Sequence, residues 1–192
     1  MMMRRIKADL DATFREDSER KTHVYGVLST ALALARLHKI DGRKAALASL
    51  LHDMTKHLTE EAHRRMILRG YGEWVLHAFA PPLYHAFSAV VLAHEHYGVK
   101  DLDVLQAIES HTIGRAGMTP LEKIVFISDY TEPNRPYEAC REVREVAFKD
   151  LDKAVYMAMD NSIRLFEKEG GFIPKTAYEA REYYRERGNA HG

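Results

Sequence analysis

Histidine and aspartate recur along this chain in a definite order: His23, the adjacent pair His52-Asp53, His85, His111 and Asp129. Only the middle pair is contiguous, so no single loop holds the set. Imidazole and carboxylate are ligands for hard to borderline divalent metals. A site that uses all six demands a fold that carries distant segments to one place.

Nearly the whole chain reads as helix. Apolar positions Val24, Val27, Leu28, Ala31, Leu32 and Ala35 form a helical stripe over residues 22–38. An Ala-rich helix at 43–52 follows the Asp41-Gly42 turn. Further helices are expected at 59–69 and 72–78, with a break at Pro81-Pro82, and at 84–97 before Gly98. Asp101 is placed to cap a helix running through His111, and 114–117 is a glycine-bounded loop. Thr119-Pro120-Leu121-Glu122 is the sharpest local signal. Thr is a good N-cap, Pro suits the first helical position, and Glu three residues after Thr completes a capping box. That helix runs to about Tyr130 and stops at Pro133 and Pro136. Helices at 137–149 and 152–168, a Gly170-Gly171-Pro174 loop and a polar helix to about Arg187 complete the chain. No stretch alternates apolar and polar residues over a useful length. The expected class is all-α, a single domain over 1–192 with its core at about 20–169 and a C-terminal loop and helix, about 170–187, packed on it.

Helix phase turns the polar series into a candidate site. Asp129 shares a side with Val125 and Phe126, and His111 with Val104, Ala107 and Ile108. His23 shares a side with Val27 and Ala31, and His52-Asp53 closes the Ala/Leu-rich helix. An ionised carboxylate on an apolar face is costly unless a cation meets it. Each case alone fits a hydrogen-bonded core residue, but together they favour a metal cluster. Six ligands exceed one tetrahedral zinc, so two metals sharing Asp53 as a bridge are expected. The remaining histidines, His38, His57, His63, His77, His94, His96 and His191, are read as bystanders. His94 and His96, two apart, point to different sides of a helix.

Charge and cysteine content narrow the setting. Lys+Arg and Asp+Glu balance at 28 each, which disfavours a nucleic-acid partner but leaves room for a local basic pocket. Cys140 is the only cysteine, so no intramolecular disulfide forms and a cytoplasmic setting is expected. Residues 1–10 carry basic side chains with no apolar segment behind them, unlike a signal peptide. No apolar stretch is long enough to span a bilayer, so no membrane partner is expected.

His, His-Asp and Asp on an all-α framework resemble the HD-domain metallohydrolases, with His23, His52, Asp53 and Asp129 at the four signature positions. His85 and His111 resemble the two histidines that give dinuclear members their second metal. The segments 46–56, 107–115 and 117–135 are similar to the YqeK-type symmetrical bis(5'-nucleosyl)-tetraphosphatases, and 174–181 resembles their C-terminal segment. The resemblance covers about 20–185. It implies a di-iron site and symmetrical hydrolysis of diadenosine tetraphosphate to two ADP by a metal-bridged hydroxide, with Mn, Co or Zn as other metals the ligands fit. Two departures stand out: Ala-Phe-Ser follows His85 where the family has small residues with Gly, and Ile113 replaces a usual Thr.

The residues admit such chemistry in their own right, since paired metals activate water and neutralise phosphoryl charge. Beside the ligands, Lys56 is either a catalytic phosphate contact or a surface lysine. Arg115 and Arg135 are phosphate grips or solvated loop residues, and Thr112 is a phosphate donor or a local cap. The ligands His23, Asp53, His85 and Asp129 are also counted in the nucleotide site, which Pro174, Lys175 and Thr176 join by resemblance alone. Tyr178, Tyr183 and Tyr184 are read as packing of the last helix. Competing readings are an HD-type nucleotidase or phosphodiesterase for another nucleotide, and a non-catalytic nucleotide-binding protein. A homodimer is left open.

Overall fold

The computed structural model describes residues 1–189, which leaves His191 outside the described residues. Among them are eleven α-helices, one 3-10 turn at Pro81–Leu83 and no strand. The helices are α1 (Met2–Thr13), α2 (Ser18–Leu37), α3 (Gly42–Leu51), α4 (Glu60–Gly70), α5 (Trp74–Ala78), α6 (Tyr84–Glu95), α7 (Leu102–Ser110), α8 (Pro120–Thr131), α9 (Glu138–Ala147), α10 (Leu151–Glu169) and α11 (Lys175–Asn189). No described helix is long and apolar enough to cross a membrane.

Side-chain caps set most of the helix starts. Asp17 accepts from Arg20 N, Asp41 from Arg43 N and Lys44 N, and Asp101 from Asp103 N and Val104 N. Such caps are each worth about 1 kcal/mol. The Asp17 cap begins α2 at Ser18, ahead of the expected residue 22, and sets His23 in its second turn rather than at its start. Thr119 and Glu122 form the full capping box, with Pro120 at the first position. At the other end of the chain, α10 stops at Gly170, whose φ of 70° closes the helix through a bond from Gly171 N to Phe166 O.

The central bundle is α2, α3, α7 and α8, each packed on at least two of the others, with α6 against α7. Helix α4 lies on α6, α9 and α10 lie on α8, and α11 lies along α10. The core extends beyond the expected 20–169 at both ends. Ile6, Leu10 and Phe14 are fully buried from α1 and its C-terminus, an i, i+4, i+8 stripe easily hidden among charged neighbours. Ala180 and Tyr184 bury from α11, and the Tyr184 hydroxyl accepts a hydrogen bond from Met118 N at 2.8 Å. A smaller cluster of Ile67, Val75, Tyr84, Ala86 and Phe87 lies under α4 and α5. Leu32, expected on the inward stripe of α2, is instead exposed.

Candidate metal centre

All six expected ligands converge. Asp129 reaches the centre from the last turns of α8, and His23 from the second turn of α2. His52 and Asp53 stand immediately after α3, and His111 immediately after α7. His85 lies in the first turn of α6, just past the Pro81-Pro82 turn. His52, Asp53, His85 and His111 are buried, while His23 and Asp129 are partly so.

Three imidazoles are anchored in the same way. Nδ1 of His52 bonds to Ser49 O at 2.7 Å, that of His85 to Pro82 O at 2.9 Å, and that of His111 to Ile108 O at 2.6 Å. A carbonyl only accepts, so each Nδ1 carries the proton and each Nε2 presents a lone pair inward. This is the backbone-held tautomer that metal-binding histidines adopt. The His52 Nε2 is buried with no hydrogen-bond partner. A buried polar atom left in that state needs a ligand to satisfy it.

Asp53 divides the centre. Its Oδ2 lies 3.7 Å from both His23 Nε2 and His52 Nε2, while its Oδ1 lies 3.3 Å from His85 Nε2 and 3.7 Å from His111 Nε2. Asp129 Oδ1 completes the first side, 3.0 Å from His23 Nε2 and 4.0 Å from His52 Nε2. The ligand atoms of His23, His52 and Asp129, and separately those of His52, Asp53 and His111, lie within 4.8 Å of one another. The donor types and their convergence fit a divalent metal ion.

The electrostatics agree with that fit. Burial holds the His52 pKa down to about 4, against the pull of the Asp53 charge. Burial, His111 and Lys56 push His85 far below the usual imidazole range. Burial would lower His23 too, but its bond to Asp129 and the charges of Asp129 and Asp53 raise it. Burial opposes ionisation of both carboxylates. The surrounding histidines nevertheless keep Asp53 well below its usual range, and His23, His52, His111 and Arg135 do the same for Asp129. Anionic carboxylates beside neutral His52 and His85 are what a cation requires.

The outer residues sort differently. Lys56 places Nζ 3.1 and 3.2 Å from the two ring nitrogens of His85, and Arg135 donates from Nη2 to Asp129 Oδ1 at 3.2 Å. Arg115, a candidate phosphate grip in the sequence, is committed elsewhere. Its Nε and Nη2 donate to the two carboxylate oxygens of buried Glu122, each at 2.7 Å, and Nη1 to Ala116 O. Glu122 also takes Ser110 Oγ, next to His111, so this arginine braces the turn that carries a ligand. Thr112 and Pro174 line a cavity of about 240 Å³ beside the centre, together with Phe126, Ile163, Phe166 and Phe172. Lys175 is exposed and paired with Glu179, and Thr176 is exposed. Phe87 packs away from that cavity against Tyr71, Trp74 and Phe79, whereas Ile113 lines it.

Two residues escaped the sequence reading. Glu132 is buried, with Oε1 3.6 Å from His23 Nδ1, and its carboxylate occupies the room left by Gly26, where a Cβ would meet it at 2.5 Å. Arg20 donates from Nη1 to Asp53 Oδ2 at 2.5 Å. Each lies three residues from a ligand in sequence, a spacing that keeps it on the same helical side or in the adjoining turn.

Among the bystanders, His63 is buried and bonded to Ser88 Oγ at 2.7 Å, His38 bonds to Ala147 O, and His57, His94 and His96 are exposed.

A helical bundle that gathers His, His-Asp and Asp from separate helices around a buried centre defines an HD-domain protein, and the HD domain family model matches residues 20–134. The likeness to narrower relatives covers most of the chain. A symmetrical bis(5'-nucleosyl)-tetraphosphatase of Bacillus subtilis is 37% identical over 82% of this chain and 85% of its own. One from Staphylococcus aureus is 32% identical over 86% and 87%. A solved structure from Clostridium acetobutylicum, described as an HD superfamily hydrolase involved in NAD metabolism, superposes with a TM-score of 0.87 at 37% identity over 95% of this chain and 96% of that one. The chain belongs to the symmetrical bis(5'-nucleosyl)-tetraphosphatase family of HD-domain proteins.

Proposed function

We propose that this protein hydrolyses diadenosine tetraphosphate at its centre, releasing two ADP, and that His23, His52, Asp53, His85, His111 and Asp129 would hold two metal ions for that reaction. The observation that carries the reading is the division of the histidines at Asp53: Oδ2 faces His23 and His52, which Asp129 Oδ1 also approaches, and Oδ1 faces His85 and His111. When bound, the ions supply activated water and neutralise charge on phosphoryl oxygens.

The chain's own groups account for the rest. The bridging oxygen of a phosphoanhydride takes up negative charge as the P–O bond breaks, and the departing phosphate is stable as an anion at neutral pH. Charge neutralisation is therefore what the protein must add, more than a proton. Lys56, beside His85, and Arg135, beside Asp129, supply cations on opposite sides of Asp53. Burial lowers the Lys56 pKa. The cavity of Phe126, Phe166, Phe172, Ile113 and Pro174 adjoins Thr112, the residue after ligand His111. It is apolar, flanked by aromatic rings, and smaller than a site for a whole dinucleotide, which suits one nucleobase. His23, His85, Thr112 and Pro174 fall where a nucleotide spanning cavity and centre would pass. Lys175 and Thr176 follow Pro174 in sequence and are exposed.

Iron is the proposed metal, in keeping with a mixed imidazole and carboxylate set. The setting is proposed as cytoplasmic, which a buried free Cys140 supports. For a homodimer, the exposed side chains of Met2 and Leu32 offer an apolar surface.

Product analysis tests the reading. Metal-loaded protein incubated with diadenosine tetraphosphate is expected to yield ADP alone. AMP with ATP, or no turnover, would overturn it.

A further inference from the structure

Three cations touch the centre, and each contacts a different ligand: Lys56 meets His85, Arg135 meets Asp129, and Arg20 meets Asp53. Arg20 is the one that the sequence pattern did not single out. It stands in the first turn of α2, three residues before His23 and on the same helical side. Its side chain is 31% exposed and the Asp53 carboxylate 4%. The guanidinium therefore sits at the boundary between solvent and the buried centre. It bonds to Oδ2, the oxygen that also faces His23 and His52.

That position is unfavourable for metal binding taken alone. A fixed positive charge on a ligand oxygen repels an arriving cation and competes for the same lone pair. A guanidinium at the mouth of such a centre is useful when an anion arrives with the metals. Its planar fork matches two oxygens of a phosphoryl group.

We propose that Arg20 is a substrate-contacting residue that grips a phosphoryl oxygen pair of the polyphosphate chain, and that in the metal-free protein it rests on Asp53 as a stand-in cation. This rests on the polyphosphate reading of the site. With metals bound to Asp53, the arginine turns from the carboxylate to the substrate, so its contribution moves from charge compensation to binding. The alternative role, holding Asp53 in place for the metals, makes the opposite forecast for metal affinity.

Chelator-treated wild-type, Arg20→Ala and Arg20→Lys proteins are titrated with Mn²⁺, followed by the signal of the free ion. Each Mn²⁺-loaded form is then titrated with inorganic tripolyphosphate and assayed with diadenosine tetraphosphate. Arg20→Ala is expected to bind Mn²⁺ as tightly as wild type or more tightly. It should bind tripolyphosphate roughly 10- to 100-fold more weakly and show a rise in KM larger than its fall in kcat. Arg20→Lys should recover part of the tripolyphosphate affinity. Weakened Mn²⁺ binding, or an unchanged tripolyphosphate affinity, overturns the proposal. The tripolyphosphate arm is independent of the nucleotide: if Arg20 governs it while wild type leaves diadenosine tetraphosphate intact, the assignment of Arg20 stands and the proposed reaction falls.

Discussion

The Nε2 atoms of His85 and His111 face each other at 3.1 Å inside the protein, while each ring gives its Nδ1 proton to a backbone carbonyl. Two inward lone pairs at that distance repel unless a cation or a shared proton lies between or beside them. Asp53 Oδ1 lies 3.3 Å from the first and 3.7 Å from the second. These three atoms form the second half of the candidate centre.

Removing one half should therefore leave the other loaded. His85→Asn is expected to lower the metal content from two ions to one per chain, with hydrolysis largely lost. Elemental analysis of protein purified without added metal checks this. Retention of both ions would contradict the division at Asp53.

Asp53→Ala removes the shared ligand and should empty both halves together. Metal content and turnover are both expected to disappear, because each set of histidines is left with no bridging carboxylate. A variant that kept normal turnover would show the bridge to be misassigned.

The buried imidazoles give the metal-free protein an acid limit. His52, His85 and His63 all have folded-state pKa values below the ordinary 6.5, with His52 at about 4. As pH falls below 6.5 the unfolded chain takes up protons that the folded chain refuses, so their stabilisation is present above 6.5 and is lost toward about 4. His23 runs the other way: its raised value stabilises below 6.5 and fades as pH rises through the folded value. Three groups outweigh one, and Asp53 and Asp129 stay ionised across the window. Thermal unfolding of chelator-treated protein between pH about 7.5 and about 4.5 should show a falling midpoint, shallower in His52→Asn. A midpoint independent of pH would count against neutral buried histidines.

The apolar cavity should be felt in substrate binding. Phe172 is 59% exposed along its wall, so Phe172→Ala costs the fold little. Loss of an aromatic partner for a base should raise KM for diadenosine tetraphosphate roughly tenfold, with metal content kept. Steady-state kinetics beside metal analysis gives the answer, and an unchanged KM removes the base from this cavity.

Arg115→Ala leaves the Glu122 carboxylate, fully buried, without its bidentate partner. Uncompensated charge of this kind costs about 3 kcal/mol, somewhat less here because the arginine itself is 43% exposed. The denaturant midpoint should fall with the slope unchanged. Stability equal to wild type would return Arg115 to the loop role considered from sequence.

The helical class, the capped start of α8 and the six converging residues are legible in the chain because they are local. Apolar period, cap chemistry and the phase of Asp129 beside Val125 and Phe126 need only neighbours three or four residues away. Helix α1 was not legible, since Ile6, Leu10 and Phe14 are three apolar residues among charges and their burial comes from the bundle they dock on. Arg115 shows the limit for charged groups. A loop arginine near a ligand has the same local signature whether it meets a substrate or a buried glutamate seven residues on.

By itself, the order of histidines and aspartates determined which residue types meet and that a helical framework carries them. Only the tertiary structure decided how they divide. The two oxygens of Asp53 face different histidines because α3, ending at Leu51, packs on α2, α7 and α8 at once. That is a matter of helix packing across about 100 residues of chain, beyond the reach of side-chain spacing along any one helix.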